Sequence, residues 1–115
     1  MGLASSIIRY GKWSLRVSPW WIVFPNQAKL IPSKKNRLVE LDNGCKFVVR
    51  PNTRDLNETL AVGLGWEYRG IIEAKLNAPR VMFDFGGHIG VFSVWISQIF
   101  PQSEVVVLEP NPENF

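Results

Sequence analysis

Residues capable of thiol or metal chemistry are scarce in this chain, which has one cysteine, Cys45, and one histidine, His88, among 115 residues. A single cysteine makes no internal disulfide, and without a second thiol or a neighbouring imidazole it completes no metal site. Cys45 is expected to act as a small apolar filler, and no metal is expected. Long apolar runs are also missing. The densest, Trp20-Trp21-Ile22-Val23-Phe24, is bracketed by Pro19 and Pro25 and falls far short of the roughly 18 residues of a membrane span. The N-terminus carries Arg9, Lys12 and Arg16 but no apolar stretch followed by a small-residue cleavage site, so a secretory signal fits poorly and a cytoplasmic chain is expected. Two short patterns, Met1-Gly2-Leu3-Ala4-Ser5-Ser6 for myristoylation and Asn57-Glu58-Thr59 for glycosylation, are brief enough to arise by chance.

What the chain does have is apolar surface. Hydrophobic residues make up 46% and aromatics 12%, enough for a packed core and against disorder, in a chain sized for one domain. Its charge is lopsided. Residues 1–54 hold ten Lys or Arg against Glu40 and Asp42, whereas residues 55–115 hold three against eight carboxylates. A basic, Trp-bearing arm fits nucleic acid, an anionic lipid surface or an acidic substrate. The charges are spaced rather than clustered, so they fit equally a solvated face balancing the acidic half, and no nucleic-acid partner is expected.

Three parts are distinguishable. Residues 1–36 read as an irregular or partly helical lead-in punctuated by Pro19, Pro25 and Pro32. Residues 37–79 begin with a β-hairpin over 37–50, for which Asn43-Gly44 suits a two-residue type I′ turn. Asp55 is then placed to cap a helix and Glu58 to reach back to it, with Leu56, Leu60 and Leu64 on one face. A second helical segment is expected around residues 71–76. In residues 80–115, Val81-Met82-Phe83-Asp84-Phe85 reads as a parallel strand buried on both faces. Gly86-Gly87-His88-Ile89-Gly90 turns into a helix over 91–100, and Glu104-Val105-Val106-Val107-Leu108-Glu109 is a second strand. This is a βαβ unit. Beyond it, Asn111 has the cap role and Pro112 the first position of another helix.

Glycines at 86, 87 and 90 let the backbone pass close to a ligand, and a helix N-terminus behind them presents unpaired N–H groups. Glu109, about 20 residues further on, is placed to accept hydrogen bonds from both ribose hydroxyls. The same residues fit a generic βαβ turn with Glu109 as a solvated strand end. A dinucleotide fingerprint from Gly86 would need glycines at 88 and 91, where His88 and Val91 stand, and the Gly-Lys-Ser/Thr of a phosphate loop is absent. Both fail.

The two motifs that remain are Asp84-Phe85-Gly86-Gly87-His88-Ile89-Gly90 and Glu109-Pro110-Asn111-Pro112-Glu113-Asn114-Phe115. Together they resemble the FkbM-type family of class I S-adenosylmethionine-dependent methyltransferases, closely over residues 81–115 and more loosely back to about residue 37. The resemblance implies an α/β fold: the start of a Rossmann-like doubly wound methyltransferase domain, preceded by the hairpin and short helices, with its sheet incomplete. It implies S-adenosyl-L-methionine as cofactor, with Asp84 at its amino-acid end, Gly86 and Gly90 lining it and Glu109 on the ribose. Asp84 also fits as an anchor for backbone N–H groups of its own turn.

The sequence departs from the family at Gly87 and His88, where Ala and Asn are usual. Gly87 is expected to be tolerated, and His88 to serve a loop-stabilising hydrogen bond rather than act as general base. The implied reaction is methyl transfer to an oxygen, on a small-molecule or saccharide acceptor. No catalytic residue is identifiable, so the chain is expected to be an N-terminal fragment, inactive alone and binding the cofactor weakly or not at all unless another chain or domain complements it. An inactive remnant or a non-enzymatic binding module with a basic arm is the competing expectation.

Overall fold

In the computed structural model, residues 3–114 are described, so the Met1-Gly2 start of the myristoylation pattern and Phe115 of the second motif lie outside the described residues. The chain is mixed α/β with two sheets. It divides into two compact units, Met1–Leu60 and Ala61–Phe115, where the sequence indicated one domain in three parts with boundaries near residues 36 and 79. No helix of the described residues is long and apolar enough to cross a membrane.

The first unit is more ordered at its start than the prolines imply. Helix α1 (Leu3–Ser14) leads to a short strand β1 (Val17–Ser18), a 3-10 turn (Trp20–Ile22) and helix α2 (Val23–Gln27). Strand β1 pairs antiparallel with β2 (Arg37–Leu41), Val17 facing Leu41, which makes the lead-in part of the hairpin's sheet. Its inward side chains do the holding. Trp13, Val17, Ile22 and Val23 are buried, and each such side chain contributes roughly 1.5–3 kcal/mol when fully removed from water.

Strand β2 pairs with β3 (Lys46–Val49) in the register Val39 to Phe47 and Glu40 to Lys46. Val39, Leu41, Phe47 and Val49 face the core while Leu38 and Val48 face out, the alternation of a sheet with one buried face. The turn differs from the expected type I′. Leu41 N–H donates to the Cys45 carbonyl (2.8 Å) and Gly44 N–H to the Leu41 carbonyl (2.9 Å), so the loop has three residues, 42–44. Only Gly44, at φ +86°, is left-handed there, as in a type I turn closed by a glycine bulge. Cys45 is buried as expected, and burial pushes its thiol pKa up.

Helix α3 (Asp55–Gly63) also starts differently from the capping expectation. Glu58 N–H donates to the Arg54 carbonyl, so Arg54 holds the cap position and Asp55 is the first helical residue. The Asp55 carboxylate instead grips Arg50: Nε at 2.8 Å, the terminal guanidinium nitrogen at 2.9 Å and the backbone N–H at 2.9 Å. The carboxylate is buried while the arginine is partly exposed, so removing Arg50 would strand a buried charge. Leu56 and Leu60 are fully buried, as their spacing predicts, whereas Leu64, expected on the same face, lies beyond the helix end at Gly63 and is half-buried.

In the second unit, α4 (Arg69–Glu73) covers only the first part of the expected segment 71–76. The αL residue Lys75 (φ +47°) follows it. Strand β4 (Val81–Phe85), helix α5 (Val91–Ile99) and strand β5 (Glu104–Leu108) form the strand-helix-strand unit. The strands run parallel, Asp84 beside Val107 and Phe85 beside Leu108. On α5, Val91, Trp95 and Ile96 are buried. The expectation that β4 is buried on both faces is not met. Val81, Phe83 and Phe85, which share one face, are exposed, Phe85 at 75%. A parallel strand is covered on both faces only when elements pack on each, and here Phe83 and Phe85 stack on one another instead.

Candidate functional site

The site is built where β4 turns into α5 beside the end of β5. Gly86 N–H donates to the Leu108 carbonyl at 2.7 Å, carrying the ladder one residue past β4. The chain then reverses through three left-handed residues, Gly86 (φ +79°), His88 (φ +50°) and Gly90 (φ +79°). Glycine takes that conformation freely, whereas histidine is strained there by roughly 1–2 kcal/mol. His88 is held in it by a bond. Its backbone N–H donates to Glu109 Oε2 at 2.7 Å.

Glu109 therefore spans two loops. Its other oxygen, Oε1, accepts the Asn111 N–H at 2.8 Å, and Asn111 in turn accepts the Glu113 N–H on its own side-chain oxygen (3.1 Å), the cap expected of it, on a 3-10 turn (Pro112–Asn114). The bonds from Asn111 and His88, with the Asn114 side chain, hold the Glu109 carboxyl below the ordinary glutamate value, because each stabilises the charged form. A carboxylate offers about four acceptor positions and three are taken here, so one is open to a ribose hydroxyl.

Asp84 reaches the same loop from β4. Its Oδ2 accepts the Ser93 hydroxyl of α5 at 2.6 Å, tying strand to helix. That bond corrects the idea of Asp84 as an anchor for its own turn's backbone, and Ser93 is a residue the motifs did not single out. The signal was a hydroxyl in the otherwise apolar run Val91-Phe92-Ser93-Val94-Trp95-Ile96, where a buried polar group needs a partner.

The three glycines have different surroundings. A side-chain carbon at Gly86 or Gly90 would meet nothing within 4 Å, so both border open space. At Gly87 it would lie 2.2 Å from Val107 Cγ1 and 3.2 Å from Asp84 Oδ2. Gly87 is thus required by packing rather than merely tolerated. The six residues singled out, Asp84, Gly86, Gly87, His88, Gly90 and Glu109, do come together, with Gly87 as packing and His88 acting through its backbone. An apolar cavity of about 420 Å³, lined by Met82, Phe92, Ile96 and Phe100 among others, shares none of them. No group of three or more His, Cys, Asp or Glu placed to hold a metal occurs among the described residues. No family model, curated protein or solved structure matches the chain.

Proposed function

We propose that the turn between β4 and α5 is the nucleoside-cofactor half of a Rossmann-like S-adenosyl-L-methionine-dependent methyltransferase. The observation that carries this reading is the bracketed Glu109 carboxylate. It is kept ionised at a parallel strand end, beside two left-handed glycines that border open space. A ribose diol is bound by such an acceptor, and a backbone that carries no side chain lets a ligand approach closely. The residues present fit the cofactor: Glu109 for the ribose, Gly86 and Gly90 as lining, and Asp84, oriented by Ser93, at the amino-acid end. When bound, S-adenosylmethionine supplies an activated methyl group for an acceptor oxygen. This chain's residues bind and orient, and none is assigned the removal of the acceptor's proton.

The test is a titration of the isotopically labelled chain with S-adenosylmethionine and S-adenosylhomocysteine, followed by NMR. Amide shifts are expected at residues 86–90 and 109–111, with dissociation in the millimolar range or tighter. Glu109→Ala abolishes them. Amides that stay fixed at millimolar cofactor, or that respond more strongly to a nicotinamide dinucleotide, overturn the proposal.

A further inference from the structure

The basic surplus of the first unit is not consumed inside the unit. Of its four carboxylates, Asp42, Glu40 and Asp55 are paired with Arg16, Lys46 and Arg50 and Glu58 is exposed, whereas Lys29, Lys34 and Lys35 are exposed and form no ion pair among the described residues. Residues 1–39 contain no Asp or Glu at all. The same segment presents large apolar side chains to solvent. Across the 3-10 turn and α2, Ile22 and Val23 are fully buried while Trp20, Trp21 and Phe24 project outward, Trp20 at 68% exposure. Two of them have partners. Phe24 packs edge-on against Tyr10 at 6.1 Å, and the Arg37 guanidinium sits 5.4 Å over the Trp21 ring.

Helix α2 ends in a turn that adds to this surface. Lys29 is left-handed (φ +56°), and Leu30 N–H donates back to the Pro25 carbonyl at 2.8 Å, the closure of a Schellman motif. Leu30, next to an unpaired lysine, is left largely exposed.

We infer that the segment 20–35, which exposes Trp20, Trp21, Phe24 and Leu30 together with Lys29, Lys34 and Lys35, docks on an anionic lipid bilayer surface. Tryptophan, phenylalanine and leucine enter the boundary between headgroups and acyl chains, and lysine ammoniums meet the lipid phosphates and carboxylates. Charge complementarity selects the anionic surface. An exposed leucine beside a lysine suits this boundary, whereas a single-stranded nucleic acid stacks its bases on aromatic rings and has no use for aliphatic ones. The inference is independent of the nucleoside site.

The experiment is co-sedimentation of the chain with vesicles of phosphatidylcholine alone and with phosphatidylserine added, at low and high salt. Binding is expected to the serine-containing vesicles only, and to weaken with salt. Trp20→Ser with Phe24→Ser lowers the partition by on the order of tenfold, as does Lys34→Ala with Lys35→Ala, each with an unchanged circular dichroism spectrum. Phe83→Ser, which removes an exposed ring of the second unit, leaves it unaltered. No binding to anionic vesicles overturns the inference, as does equal loss on Phe83→Ser, full binding by either double variant, or binding of a single-stranded oligonucleotide in place of vesicles.

Discussion

A methyl group added at position 87 runs into the neighbouring strand, because its carbon would lie 2.2 Å from Val107 Cγ1. Gly87→Ala therefore forces a shift of β5 or of the valine, and overpacking of this kind costs about 1–3 kcal/mol. Denaturant unfolding of Gly87→Ala, Val107→Ala and the double variant checks it. The double variant is expected to recover most of the loss, giving a coupling of about 1 kcal/mol or more. Glu109 has a signature in pH. Its folded pKa is depressed, so its contribution is full above the usual glutamate range and is lost as pH falls through the lowered value. The amide resonances of His88 and Asn111 are expected to move together through that acidic window, and Glu109→Gln to remove the titration. Both Gly87 and Glu109 were visible in the motifs. Their partners were not, because Val107 and the His88 N–H meet them only when two strands lie side by side.

Among the elements, the link between the α2 end and the hairpin exit hangs on Asn52. Its side chain accepts the Ile31 N–H at 3.0 Å and donates to the Ile31 carbonyl at 2.8 Å, and its own N–H donates to Asn26 Oδ1 at 2.7 Å, all at φ +61°. Asn52→Ala loses both side-chain bonds and strains the backbone, a cost of about 2–3 kcal/mol. Asn52→Gly keeps the backbone at ease, and its cost is expected to be smaller by roughly 1 kcal/mol. Equal losses in thermal unfolding would show that the turn's conformation does not matter. The hairpin was legible in its alternation of apolar and polar residues, as was α5 in its helical spacing. The turn type was not, because Asn43-Gly44 suits both a two-residue and a three-residue loop, and the pairing of Leu41 with Cys45 decides between them.

For the molecule as a whole, the open face of β4 is the feature with the plainest consequence. Phe83 and Phe85 expose a contiguous aromatic surface, their rings 6.0 Å apart, and an apolar patch of this kind promotes association. Phe85→Ser is expected to lower the binding of a fluorescent hydrophobic dye and to slow aggregation, while changing unfolding stability by less than about 0.5 kcal/mol. A loss of several times that would mean the ring is packed in solution.

Local pattern was enough for the strand-turn-helix-strand order and for the buried Leu56 and Leu60, because each depends on neighbours within one or two turns of chain. Pairing over longer distances was decided by the fold: β1 joining the hairpin's sheet, Asp55 turning to Arg50, Ser93 closing on Asp84 and Glu109 bridging two loops. These contacts depend on where one segment lies against another. A side chain's neighbours along the chain do not specify that, since the same carboxylate satisfies a helix cap, a guanidinium or a loop amide equally well until packing brings one of them within reach.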